Sequence, residues 1–166
     1  MQLALIETGG TINGILSPEQ APPQSCVLRW LDCNRERFDL DIAFTPVVMK
    51  DSRAIDDSDR AAVAAAIEAS LADCILIPHG TYTMPETGVY LLQHLSGMAL
   101  KKSIVLVGSL IPLEEPDSDA PANLEFALER LRSRVPGVGI VMEGRSWDPG
   151  EVRKDLATGK YVPLRA

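Results

Sequence analysis

The chain has 166 residues, 46% of them hydrophobic and 23% charged, with a formal net charge of −7. That composition supplies a core for one domain over residues 1–166 and excludes a disordered chain. The acidity argues against phosphate backbones as partners, so no nucleic-acid binding is expected. No apolar run approaches the roughly 20 residues that cross a bilayer, so no membrane partner is expected either.

The first apolar run, residues 2–6, predicts a buried strand and carries no basic leader of the kind a signal peptide has. Residues 9–24 are rich in Gly, Pro, Ser and Gln and predict a long loop, of a length that is usually functional. Val27, Leu28 and Leu31 suit a short helix. Phe38, Leu40, Ile42 and Phe44 alternate as in a strand with one buried face. Asp57 and Ser58 are candidate caps for a helix with the stripe Val63, Ile67 and Leu71. The acidic group Asp56, Asp57 and Asp59 reads as the start of that helix, where carboxylates complement its dipole. Cys74–Ile77 predicts a strand ended by Pro78, followed by a loop and a helix through Val89, Leu92 and Leu95. Ser103–Val107 is the next strand and Gly108–Asp119 the next loop. Asp119 and Pro121 open a helix with the stripe Leu124, Leu128 and Leu131. Gly139–Met142 is a last strand, and the tail from Trp147 is polar and without a clear period.

Strands alternating with helices predict an α/β fold, a mostly parallel sheet covered on both faces. Ligands of such sheets bind beyond the carboxyl ends of the strands. Three loops there hold Glu7-Thr8-Gly9-Gly10-Thr11-Ile12, Pro78-His79-Gly80-Thr81-Tyr82-Thr83 and Asp117-Ser118-Asp119. Glycines let backbone N–H groups approach an anion, and a neighbouring hydroxyl becomes a nucleophile once a base takes its proton. Lys102, at the start of a buried strand, is the candidate base. Read alone, the same Gly and Thr residues suit ordinary turns equally well. The cysteines, Cys26, Cys33 and Cys74, are odd in number and form no CxxC pair, so buried reduced thiols are expected rather than disulfides or a metal site. These features favour the cytoplasm. His94 falls in a helical pattern, and His79 has no nucleophile beside it in sequence.

Thr8-Gly9-Gly10-Thr11-Ile12 resembles the first signature of the L-asparaginase family, TGGTI. Residues 78–87, PHGTYTMPET, resemble the second, THGTDTMxET. Lys102–Gly108 with Asp117-Ser118-Asp119-Ala120-Pro121-Ala122-Asn123 resembles the segment around the catalytic lysine, and Asp51-Ser52 the substrate-carboxylate loop. The matches run in order from about residue 3 to residue 155.

The resemblance implies the three-layer α/β/α fold of the asparaginase N-terminal domain, in a short form without the C-terminal domain. It implies hydrolysis of a small side-chain amide through a threonine acyl-enzyme, without cofactor or metal, in a homodimer. Thr11 would be the nucleophile, under a lid formed by residues 12–24. Thr81 and Lys102 would form a second catalytic group, Ser52 would hold the substrate carboxylate, and backbone near Gly10 and Gly80 would line the anion pockets. Tyr82 replaces an aspartate that holds the substrate ammonium, and the lid tyrosine of the family has no counterpart in Gly14-Ile15-Leu16-Ser17. These departures imply weak activity on asparagine. They also leave open the alternative of a non-catalytic protein that binds a small carboxylate.

Overall fold

A computed structural model describes residues 1–20 and 24–164. Five parallel strands, β1 (Gln2–Gly9), β2 (Asp41–Lys50), β3 (Cys74–Pro78), β4 (Ser103–Val107) and β5 (Gly137–Met142), form a sheet in the order β2-β1-β3-β4-β5. A short antiparallel strand, β6 (Arg145–Trp147), extends the β5 edge. Two further strands, β7 (Val152–Lys154) and β8 (Tyr161–Pro163), pair into a separate antiparallel ribbon. The helices are α1 (Cys26–Cys33), α2 (Asp57–Ala69), α3 (Met84–His94) and α4 (Ala120–Arg132). No helix among the described residues is long and apolar enough to cross a membrane.

Successive side chains on a strand point to opposite faces, and here both faces are buried. Ile75 and Ile77 of β3, with Ile104 and Leu106 of β4, pack against Val63 and Ile67 of α2 and Met84 and Leu91 of α3. On the other face Leu3, Leu5, Leu76, Val105 and Val107 meet Val27 and Leu31 of α1 and Leu124, Leu128 and Leu131 of α4. This is the expected three-layer α/β/α arrangement. Connections β1–α1–β2, β2–α2–β3 and β3–α3–β4 share one hand. The connection β4–α4–β5 continues in the direction of β3–α3–β4 but places its helix on the opposite face, so its hand is reversed. Such crossovers nearly always share one hand.

Several boundaries differ from the sequence expectation. Phe38 and Leu40 are buried but precede β2, after a turn in which Asp39 has φ 46°. The strand itself runs on to Lys50 and contains Pro46. Proline is tolerated there because β2 is the sheet edge. Leu71 is 98% exposed, because α2 ends at Ala69. That helix is capped by Asp56, whose side chain accepts from the Ser58 and Asp59 N–H groups while Asp59 accepts from the Asp56 N–H. Cys26 and Cys74 are buried free thiols as expected, but Cys33 is exposed.

β1 leaves for β2 on one side, and the chain returns to β3 on the other. The crevice between the carboxyl ends of β1 and β3 is therefore the topological switch point. There the loops after the two strands touch backbone to backbone. A Cβ on Gly10 would lie 2.2 Å from the Gly80 nitrogen, and Gly10 has φ 84° and ψ −177°, a conformation confined to glycine. Gly10→Ala is expected to lower unfolding stability by at least about 2 kcal/mol. Denaturant unfolding checks this; an unchanged midpoint would mean the loops separate freely.

Candidate active site

At the switch point, Thr11, Arg53, Thr81, Tyr82, Ser109 and Lys154 line one cavity of about 250 Å³. Thr11 opens a 3-10 turn over residues 11–13, placed there by the strained Gly10. Thr81 follows β3 and is 3% exposed. The β7–β8 ribbon holds it twice: Lys154 Nζ lies 2.6 Å from Thr81 Oγ1, and the Tyr161 hydroxyl donates to the Thr81 carbonyl at 2.8 Å. Burial lowers the Lys154 pKa, the nearby Arg53 charge lowers it further, and Asp51 opposes both. A lysine so placed can take the proton of a threonine hydroxyl, which makes the oxygen a nucleophile.

Two cations lie over the Tyr82 ring, with Lys154 Nζ 4.0 Å and Arg53 Cζ 4.8 Å from its centroid. Asp51 is the carboxylate on the cavity wall, and Arg53 already engages both its oxygens, at 2.9 and 2.8 Å. This pairing, above all the hydrogen bond, holds the Asp51 carboxyl below the usual carboxylate range. A larger groove of about 540 Å³ runs beside α3 and shares Tyr82 and Lys154 with the cavity. It lacks both threonine hydroxyls, so the smaller space is where hydroxyl chemistry can occur.

The structure does not bring Lys102 to this site. It precedes β4, at the amino edge of the sheet, whereas Thr81 lies beyond the carboxyl end of β3. Five strand residues at about 3.3 Å each put the two edges roughly 16 Å apart. Lys102 Nζ instead donates to the carbonyls of Ile67 and Ser70 at the end of α2, where a cation offsets the helix dipole. The lysine in contact with Thr81 is Lys154, in the tail whose short strands have too few residues to show a period. Ser52 is also set back: it is buried and does not line the cavity. Its Oγ accepts from the Tyr82 N–H at 3.2 Å, and its carbonyl accepts from the Thr83 hydroxyl. Arg53 and Asp51 face the space instead. Gly10 and Gly80 are buried at the loop junction and do not line the cavity.

Of the expected lid, residues 21–23 lie outside the described residues. In the part before them, the Gln20 side chain bridges the Gly14 carbonyl and the Leu16 N–H. Both ends of the segment are fastened by Glu7, which is fully buried at the end of β1. Its carboxylate accepts from the Thr8 and Gly9 N–H groups, from Asn13 Nδ2 and from the Ser25 hydroxyl that caps α1. Sequence reasoning passed over this residue, although a carboxylate ending an otherwise apolar strand was a visible signal.

The family model described as "Asparaginase, N-terminal" matches residues 2–161. An L-asparaginase of Thermococcus kodakarensis is 31% identical over 145 residues, which cover 84% of this chain and 43% of that protein. The thermostable L-asparaginase structure from the same organism superposes with a TM-score of 0.85 at 26% identity, over 100% of this chain and 52% of that one. L-asparaginase I from Vibrio cholerae gives 0.77 at 26% identity, over 98% and 51%. A probable cytoplasmic L-asparaginase from Campylobacter jejuni gives 0.80 at 24% identity, over 99% and 53%, a likeness of fold. The fold is that of the asparaginase N-terminal domain, and the chain belongs to the asparaginase family. It spans about half the length of the relatives it matches.

Burial pushes the Glu7 carboxyl up from 4.5 to about 7, against the four hydrogen bonds that favour its ionised form. A folded-state pKa above the unfolded value contributes stability that is complete below about pH 4.5 and is lost as pH rises to 7, roughly 3 kcal/mol in all. Glu7→Gln removes this dependence. Its melting temperature relative to the native protein is expected to rise between pH 5 and pH 8, and parallel curves would contradict the assignment.

Proposed function

We propose that this chain hydrolyses small amides through a threonine acyl-enzyme, with Thr81 and Lys154 as the activating pair. The observation that carries the reading is the 2.6 Å contact between Lys154 Nζ and Thr81 Oγ1 in a cavity the size of a small amide. Lys154 in its neutral form takes the hydroxyl proton, the Thr81 oxygen adds to the amide carbonyl, and the proton passes to the departing ammonia. Water then releases the acid by the reverse roles. Thr11, the nucleophile implied by the family resemblance, lines the same cavity, with no side-chain base bonded to its hydroxyl among the described residues. Membership of the asparaginase family supports the reaction class.

Asparagine itself is a poor substrate in this reading. Its ammonium group would meet Lys154 and Arg53, and the carboxylate within reach, Asp51, is already paired. A charge-assisted hydrogen bond to a free carboxylate contributes about 1.5–3 kcal/mol, or one to two powers of ten in affinity. An amide acid without the amino group, such as succinamate, avoids that loss. The same two cations support the alternative, a protein that binds a small carboxylate without turnover.

Ammonia release from a panel of amides separates the two. Thr81→Ala and Lys154→Met are expected to lower release from succinamate by at least about a hundredfold while melting remains cooperative. Acyl-enzyme trapping in Thr11→Ala assigns the covalent bond: an adduct that persists there places it on Thr81. Tyr82→Asp is expected to raise kcat/KM for asparagine relative to succinamate by about tenfold or more. Native-like release from Thr81→Ala would overturn the pairing, and succinate binding without any amide turnover would establish the binding protein.

A further inference from the structure

His79, the residue two before Thr81, is fully buried and lines neither the cavity nor the groove. Its Nδ1 lies 2.8 Å from the Gly80 carbonyl oxygen and its Nε2 lies 2.9 Å from Thr87 Oγ1 on α3. The partners fix the tautomer. A carbonyl only accepts, so Nδ1 carries the proton and Nε2 is the acceptor. Arg60 Nε donates to the same Thr87 oxygen at 3.2 Å, which leaves the Thr87 proton for Nε2. The chain therefore runs in one direction, from Arg60 through Thr87 and His79 to the Gly80 carbonyl. Burial keeps the ring neutral, its pKa pushed down to about 4.

The far end of this chain acts on the peptide that joins Gly80 to Thr81. In a trans peptide the carbonyl oxygen and the following N–H point in opposite directions, and no peptide bond among the described residues is cis. Drawing the Gly80 oxygen toward buried His79 turns the Thr81 N–H the other way. No described residue accepts a hydrogen bond from that N–H. It belongs to the same residue as the cavity hydroxyl, so it is available to an anionic oxygen that forms beside Thr81 Oγ1.

We propose that His79, held by Thr87, is a positioning residue that keeps the Thr81 N–H turned into the cavity as a donor to the tetrahedral oxyanion of amide hydrolysis. The proposal rests on the hydrolase reading above and adds to it a device built from residues that never touch substrate. Such a donor acts on charge that develops in the transition state, so its loss lowers kcat and leaves KM nearly unchanged.

The test compares four variants on succinamate with thermal melts of each. His79→Leu removes the donor to Gly80 and is expected to lower kcat by about a hundredfold, with KM within about twofold. Thr87→Val frees Nε2 and is expected to cost about tenfold in kcat. Thr87→Ser, which restores the hydroxyl, returns kcat to within about threefold of native. His79→Asn places an amide nitrogen where Nδ1 lies and retains more kcat than His79→Leu. A merely structural role would lower the melting temperature in all four without this order. Unchanged kcat in His79→Leu, or a loss carried by KM, overturns the proposal. If the native protein hydrolyses no amide, the hydrolase reading fails by itself. The positioning is then decided by crystal structures of the native protein and His79→Leu: a turned Gly80–Thr81 peptide in the variant supports it, and an unmoved one overturns it.

Discussion

The structure turns on the contact of two backbones, Gly10 against Gly80, with no side chain between them. The loops after β1 and β3 must come this close for Thr11 and Thr81 to share a cavity of about 250 Å³. A Cβ on Gly80 would in turn lie 2.6 Å from Ser52 Oγ. Three segments far apart in sequence therefore meet at a point where only glycine fits two of the positions. Around it, Glu7 fastens the first loop, Ser52 the second, and Tyr161 the backbone of Thr81. The loops that carry the site are thus held in part through main-chain atoms.

The electrostatics follow from burial at that junction. Lys154 is half-buried beside Arg53, and both effects favour its neutral form. Tyr82 contributes a ring face to the two cations and no charge of its own. A carboxylate at this position would raise the Lys154 pKa and compete for Arg53. The residue at this position therefore bears on the proton affinity of the amine beside it.

The strands were legible because full burial on both faces leaves short apolar runs, and residues 2–6, 74–77, 103–107 and 139–142 all lie in the central sheet. The stripe Leu124, Leu128 and Leu131 was legible for the helical counterpart of that reason. The place of Thr11 and Thr81 in loops beyond the strand ends was legible through their glycines. Lys102 was misread although the same topology argued against it, since a residue that opens a parallel strand stands at the edge opposite the site. Lys154 and Tyr161 were not legible, because strands of three residues carry no usable period. Their places are set by long-range contact with Thr81. Ser52 stands behind the cavity wall, and nothing in the sequence separates a serine so placed from one that lines the space.

The ribbon bearing Lys154 has a consequence for the chain as it is synthesised. The five parallel strands of the central sheet precede Lys154 in sequence, so most of the core is synthesised before the amine. A nascent chain ending before that ribbon carries both threonines without the two contacts, from Lys154 and Tyr161, that hold Thr81. The ribbon adds those contacts late in synthesis, and through Val152 and Tyr161 it also completes one face of the core.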